Sequence, residues 1–193
     1  SKKVPEILLR VTKWADKLGV KYHLSETRSN HVTQNGTQSS GINLTLHSVI
    51  LAKIFKSKIG TGSSNKIIPP EAYGAPLPFI KGIIDGYFSG DGTVNKKGYL
   101  VITSASEELI MGFAALCSYF GIFGKKSGVQ LKKNNFETEQ IKYSHSYTIR
   151  NNFVHTFATK IGLSHLAKNE ALQACLKRQY RHPIGKFYQE LHH

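Results

Sequence analysis

Acidic residues are scarce in this chain: 12 Asp and Glu stand against 26 Lys and Arg in 193 residues, leaving a formal charge of +14. Such an excess calls for a polyanion, nucleic acid before any other. An anionic membrane is the competing partner, but no amphipathic basic helix, lipidation motif or hydrophobic anchor is evident. The most apolar glycine-rich stretch, 79–94, is too short to span a bilayer and carries Lys81 and Asp85. Cysteine is nearly absent. Cys117 and Cys175 sit in helical-looking runs without metal-ligand spacing, which points to two buried thiols in a reducing, intracellular compartment. No signal peptide is visible. With 40% hydrophobic residues the chain can still bury a core, so the charge belongs to a folded protein and not to a basic tail.

What stands out is the stretch from Phe79 to Val94. Gly82, Gly86 and Gly90 recur every four residues and form one smooth stripe on a helix. Glycine costs about 1 kcal/mol per helical position relative to alanine, and close packing against another backbone is the usual reason to carry three. Ile80, Ile83, Ile84, Tyr87 and Phe88 form the core-facing set. The spacing predicts a helix that stops at Gly90, with Asp91 at its C-terminal end. Free carbonyls already make that end negative, and a carboxylate adds like charge. Two readings stand: Asp91-Gly92 is a turn after a helix, or Asp91 serves a hard divalent cation.

The chain also repeats itself at an offset of 102 residues. Leu18-Gly19-Val20 matches Phe120-Gly121-Ile122, Lys58-Ile59-Gly60 matches Lys160-Ile161-Gly162, Lys66 matches Lys168, and Glu6 matches Glu108. One structural unit therefore occurs twice. By the same offset, the counterpart of Asp91 would stand ahead of Ser1, so the first copy is expected to lack its glycine-striped helix and the strands after it.

In chain order, the pattern predicts a helix over Pro5–Leu18, a strand over Lys21–Ser25, a polar loop from Glu26 to Gly41, a strand over Ile42–Leu46 and a helix over Ser48–Lys58. After the glycine helix come a hairpin of Thr93–Asn95 with Gly98–Thr103, a helix to Phe120 capped by Ser106, and strands at Gly128–Lys133 and Gln140–Arg150. Helices over Phe153–Lys160 and from Ser164 to Tyr180 close the unit. Lys21, His23, Asn43, Thr45 and His47 alternate outward in the first copy. Lys142, Ser144, Ser146, Thr148 and Arg150 do so in the second, where Lys126, Gln130 and Lys132 are further DNA-binding candidates. Such polar faces suit phosphates and base edges in a DNA groove, although an ordinary solvated sheet face has the same composition. The expected divisions are 1–70 for the first repeat, 71–180 for the second and 181–193 for a tail.

Ile84-Asp85-Gly86-Tyr87-Phe88-Ser89-Gly90-Asp91-Gly92 resembles the nine-residue motif of the LAGLIDADG homing endonucleases. It departs from the motif at Asp85, where the family has alanine, and carries Ser89 in the variable first-acid place. Lys66-Ile67-Ile68-Pro69, Ile161-Gly162 through Lys168, and Gly185–Leu191 resemble further elements of the intein-borne group, the last one leading to a splicing domain. The resemblance implies an α+β fold: a pseudo-two-fold duplicated αββαββα architecture with two saddle-forming antiparallel sheets on double-stranded DNA, a pseudo-dimer within one chain. It further implies that motif helices pack through Gly82, Gly86 and Gly90, and that Asp91, with the Gly90 carbonyl as a further ligand, binds Mg²⁺ or a similar divalent metal. Lys66 and Lys168 would flank the scissile phosphates. Asp85 is a lesser metal-ligand candidate, lying six residues before Asp91.

With its partner acid expected outside the chain, cleavage by this polypeptide alone would be absent or limited to nicking. The partner helix, or a splicing domain of the same precursor, would complete it. A non-cleaving DNA-binding or RNA-splicing, maturase-like protein of the same fold is the alternative, and a general basic RNA-binding domain is a further rival. Protein splicing by the chain itself is not expected, because the residues after Ser1 belong to the repeat and no terminal Asn is present.

Overall fold

A computed structural model of the chain describes residues 6–32, 38–128, 144–150 and 152–179. The element order is α1 (Glu6–Lys17), β1 (Lys21–Val32), β2 (Gln38–His47), α2 (Val49–Ile59), a 3-10 turn (Pro70–Gly74), α3 (Leu77–Gly90), β3 (Thr93–Val94), β4 (Leu100–Ser104), α4 (Glu107–Ser118), β5 (Gly124–Ser127), β6 (His145–Ile149), α5 (Asn152–Lys160) and α6 (Leu166–Gln179). Among the described residues no helix is long and apolar enough to cross a membrane.

The repeat is visible in the backbone. Gly19 and Gly121 end α1 and α4 at φ of +64° and +69°, and Gly60 and Gly162 end α2 and α5 at +85° and +72°. Left-handed conformation is what a helix-terminating glycine supplies. Even the closing hydrogen bonds recur with the same spacing: Val20 N donates to the Ala15 carbonyl at 2.9 Å and Ile122 N to the Cys117 carbonyl at 3.1 Å.

Two compact units divide the chain, Ser1–Phe55 and Lys56–His193. The physical reason lies in the segment that follows α2. Ile67 N donates to the Ile59 carbonyl at 2.8 Å, Lys58 pairs with Glu71, and Ile68 joins the core of the second unit.

In the first unit, β1 and β2 form an antiparallel pair with Lys21 opposite His47, His23 opposite Thr45 and Ser25 opposite Asn43. The strands run to Val32 and start again at Gln38, which corrects the expected loop from 26 to 41. A ladder needs only backbone donors and acceptors, so polar residues can extend a hairpin that hydropathy cannot signal. The apolar face holds Tyr22, Leu24, Leu44 and Leu46, all half-buried, and α2 buries no residue at all.

The second unit is a four-stranded antiparallel sheet in the order β3-β4-β6-β5, covered on one face by helices. α3 begins with Pro76 and Pro78 around its first residue, positions where a missing N–H costs nothing. Ile80, Ile84 and Phe88 of α3, Leu100 and Ile102 of β4, Ile149 of β6 and Phe113 of α4 are essentially inaccessible, and each contributes about 2 kcal/mol by burial. Ser106 caps α4, its hydroxyl accepting from Leu109 N at 3.1 Å and donating to the Lys66 carbonyl at 2.6 Å. Cys117 and Cys175 are buried and form no disulfide; burial pushes the Cys117 thiol up to about 12.

The edge strand lies at Gly124–Ser127, ahead of the expected start at Gly128. Its sequence Gly-Lys-Lys-Ser holds no apolar residue, as befits a charged edge, and so gives no period-two signal. Residues 129–143, with the candidates Gln130, Lys132 and Lys142, and the tail 181–193 lie outside the described residues.

Candidate active site and nucleic-acid face

α3 ends as its glycines dictate. Asp91 N donates to the Tyr87 carbonyl at 2.8 Å and Gly92 N to the same oxygen at 3.3 Å, leaving the exposed Asp91 side chain just past the last turn. An alanine methyl placed at Gly82, Gly86 or Gly90 would meet nothing within 4 Å. The stripe is therefore open along its length among the described residues.

Lys168 reaches the same end from α6. Its ammonium donates to the carbonyls of Phe88, Ser89 and Gly90 at 3.3, 2.7 and 2.7 Å. A cation on these orphan acceptors offsets the negative pole of the helix and the charge of Asp91. Burial holds the Lys168 amine below its ordinary value, and the Asp91 charge works against that shift. Tyr87 is pushed up by burial first and by Asp91 second, with a Ser104 hydrogen bond opposing. The structure thus brings Gly90, Asp91 and Lys168 together. Lys66 is exposed in the segment before the 3-10 turn, its backbone fixed by Ser106.

The donor set meets the expected metal only in part. Asp91 offers a hard oxygen ligand, but the Gly90 carbonyl already accepts from the Lys168 ammonium, whose charge repels a second cation at that oxygen. In this arrangement the Gly90 carbonyl is engaged by Lys168 and not by a metal. Among the described residues no group of three or more His, Cys, Asp and Glu stands close enough to hold a metal ion. Asp85 is engaged elsewhere, accepting from Ser89 Oγ at 2.8 Å and Ser164 N at 2.7 Å.

In the first unit the register gathers Lys21, His23, Asn43, Thr45 and His47 on one exposed face, as the alternation predicts. In the second, directly opposed residues share a face, which groups Thr93, Val101, Thr148 and Lys125, and next to them Thr103, Ser146 and Ser127. Ser146 and Thr148 are on the polar face, but each is only 9% exposed because β6 is a central strand. Ser144 precedes β6, and its hydroxyl is buried with no hydrogen-bond partner among the described residues.

Lys126 lies opposite Tyr147 on the other face and pairs with Glu107 of α4, so it stands apart from the polar face. The cation that does belong there is Lys125: the strand starts four residues ahead of its expected start, and Gly-Lys-Lys-Ser carries no apolar alternation to tell the two lysines apart. Arg150 stacks over the Tyr99 ring at 5.0 Å. With Lys125, Thr148, Asn152 and the edge-to-face pair Phe123 and Phe153, it lines a cleft of about 450 Å³.

A family model for a LAGLIDADG-like domain matches residues 78–162. That stretch of the second repeat resembles a LAGLIDADG-like domain. The match takes in α3 with its terminal Asp91 and runs through the sheet to the glycine that ends α5. Among curated proteins, the chain is 38% identical over 131 residues to the DNA-directed RNA polymerase subunit Rpo1C of Methanocaldococcus jannaschii, covering 67% of this chain and 14% of that protein. It is 31% identical over 128 residues to a probable translation initiation factor IF-2 of the same organism, covering 64% of this chain and 11% of that protein. The chain therefore spans only a small part of either relative. Among solved structures, a variant of I-DmoI in complex with its target DNA in the presence of magnesium superposes with a TM-score of 0.53 at 14% identity, covering 80% of this chain and 71% of that one. The fold is the α+β LAGLIDADG architecture that this likeness and the sheet order describe.

Proposed function

We propose that the chain is the DNA-recognising and DNA-cutting part of an intein-type homing endonuclease, a metal-dependent site-specific endodeoxyribonuclease acting on a long asymmetric duplex. One observation carries the reading: Asp91 ends a helix whose Gly82-Gly86-Gly90 stripe is open, with Lys168 on the adjoining carbonyls. The stripe suits a second motif helix, encoded outside these 193 residues, that brings a second acid beside Asp91. The open polar faces of both units and a charge of +14 suit a long duplex. Matches confined to 14% of a polymerase subunit and 11% of an initiation factor, proteins without shared chemistry, fit a self-contained element carried by unrelated hosts.

A divalent metal, Mg²⁺ by analogy with the I-DmoI complex, when bound stabilises charge on the attacking and leaving oxygens of an in-line displacement. Asp91 is the residue of this chain that would hold it. Lys168 is set to offset charge developing on the phosphate, and Lys66 is its counterpart in the first repeat. Lys21, His23, Asn43, Thr45 and His47 in one unit, and Lys125, Thr103 and Arg150 in the other, contact phosphates and base edges.

The single carboxylate also favours a second reading, a non-cleaving DNA-binding or RNA-splicing protein of the same fold. One experiment separates them. The chain is presented with a duplex spanning its own insertion point, with the insertion deleted, in Mg²⁺, alone and with the upstream segment of its reading frame added. The expected outcome is specific binding by the chain alone with nicking at most, and double-strand cleavage once the segment is present. Asp91→Ala should lower cleavage by roughly a hundredfold or more and leave Kd within about threefold. Wild-type cleavage by Asp91→Ala, or tighter binding to folded RNA than to duplex DNA, would overturn the endonuclease reading. Clean double-strand cleavage by the chain alone would overturn the half-site.

A further inference from the structure

Beside the reach of Lys168 to α3 lies a polar clamp that spans 79 residues of chain. Asp85 of α3 has both carboxylate oxygens occupied. Oδ1 accepts from the Ser89 hydroxyl at 2.8 Å and the Ser164 backbone N–H at 2.7 Å, and Oδ2 accepts from the Ser164 hydroxyl. Ser164 belongs to the turn between α5 and α6. The next residue, His165, is tied down twice: its N–H donates to Ser89 Oγ at 3.2 Å, and its ring Nδ1 accepts from Lys168 N at 3.4 Å. The first turn of α6 is thereby capped and oriented, and Lys168 is the residue it delivers onto the Phe88, Ser89 and Gly90 carbonyls.

Ser89 is 1% exposed, and Asp85 and Ser164 are half-buried. A half-buried carboxylate receiving three hydrogen bonds is charge-assisted and rigid in a way a solvated pair is not. Lysine alone is a flexible point charge with no preferred geometry, so its position has to come from its backbone.

We propose that Asp85 is a positioning residue of the candidate centre: by holding Ser164 against α3 it places the Lys168 ammonium at the end of the helix, beside Asp91. The role of Lys168 toward the phosphate rests on the nuclease reading above; the placement of Lys168 does not.

The test is limited acetylation of the full chain with an N-hydroxysuccinimide ester, without DNA or metal, reading the labelling of Lys168 relative to exposed Lys66 by mass spectrometry. Asp85→Ala should raise that ratio about tenfold, because the hydrogen bonds that hold Ser164 against α3 are lost. Asp85→Asn keeps one acceptor oxygen and should recover part of the protection. Ser164→Ala, which keeps the backbone bond and serves if Asp85→Ala does not fold, should raise the ratio by a smaller factor. Where the completed enzyme cleaves, Asp85→Ala should lower kcat with KM within about twofold, and adding it to Lys168→Ala should cost nothing more. An unchanged labelling ratio in a folded variant, or additive losses in the double variant, would overturn the positioning role. Absence of cleavage in the wild-type completed protein would overturn the nuclease reading and leave the labelling result to stand by itself.

Discussion

Gly92 occupies a place that no side chain can share. A methyl there would lie 2.5 Å from the Phe88 carbonyl oxygen and 2.8 Å from its Cα, and backbone atoms inside a helix cannot step aside. Its backbone is not in the left-handed region, so the requirement is for space and not for an unusual φ. Gly92→Ala should therefore destabilise the chain by about 1–3 kcal/mol and displace Asp91, lowering the thermal midpoint by several degrees. Gly90→Ala, two residues earlier and open around its Cβ, should not. Equal melting of the two variants would show that the turn relaxes freely. At this scale the sequence made the helix stop and the terminal acid readable, because glycine and aspartate have few local meanings. The engagement of the Gly90 carbonyl by Lys168 was not readable, since it comes from a residue 78 positions away.

The elements divide along a similar line. α3, α4 and the Gly19 and Gly121 terminations follow from local signals: a 3.6-residue apolar period, a Ser106 cap and glycines at matching positions. The ends of β1 and β2 and the start of β5 did not follow, because the polar residues of the one and Gly-Lys-Lys-Ser of the other hold no apolar alternation to read. Without that alternation nothing in the sequence told Lys125 from Lys126, which the pairing with Thr148 and Tyr147 separates. The stripe on α3 yields a prediction that separates propensity from packing. In the isolated chain, a methyl at Gly86 meets open space, so Gly86→Ala should gain about 0.5–1 kcal/mol from helix propensity alone, seen as a higher urea midpoint. If a second motif helix packs on the stripe, the same methyl stands between two backbones, and cleavage by the completed protein should fall by about tenfold or more. Stabilisation with unimpaired cleavage would remove the helix pair from the proposal.

For the whole molecule, the two units have unequal means of holding themselves together. The second buries a continuous core from Ile68 to Leu176, including three phenylalanines that are almost inaccessible. The first fully buries Ala15 and nearly buries Thr12, but leaves Trp14, Val49, Ile50 and Phe55 between 40% and 72% exposed. Conformational entropy costs on the order of 1–2 kcal/mol per ordered residue in either unit, whereas the compensating apolar burial is concentrated in the second. Opening of the first unit should then be the cheaper event, and local opening energies are what amide exchange reads. Deuterium uptake at neutral pH should be at least about tenfold faster in β1 and β2 than in β4 and β6, a gap of some 1.4 kcal/mol or more in opening free energy. Duplex DNA, which the proposal lays across the Lys21, His23 and Thr45 face, should narrow that gap by slowing β1 and β2 selectively. Uniform protection of both sheets in the free chain would mean that the first unit draws its stability from packing that these contacts do not contain.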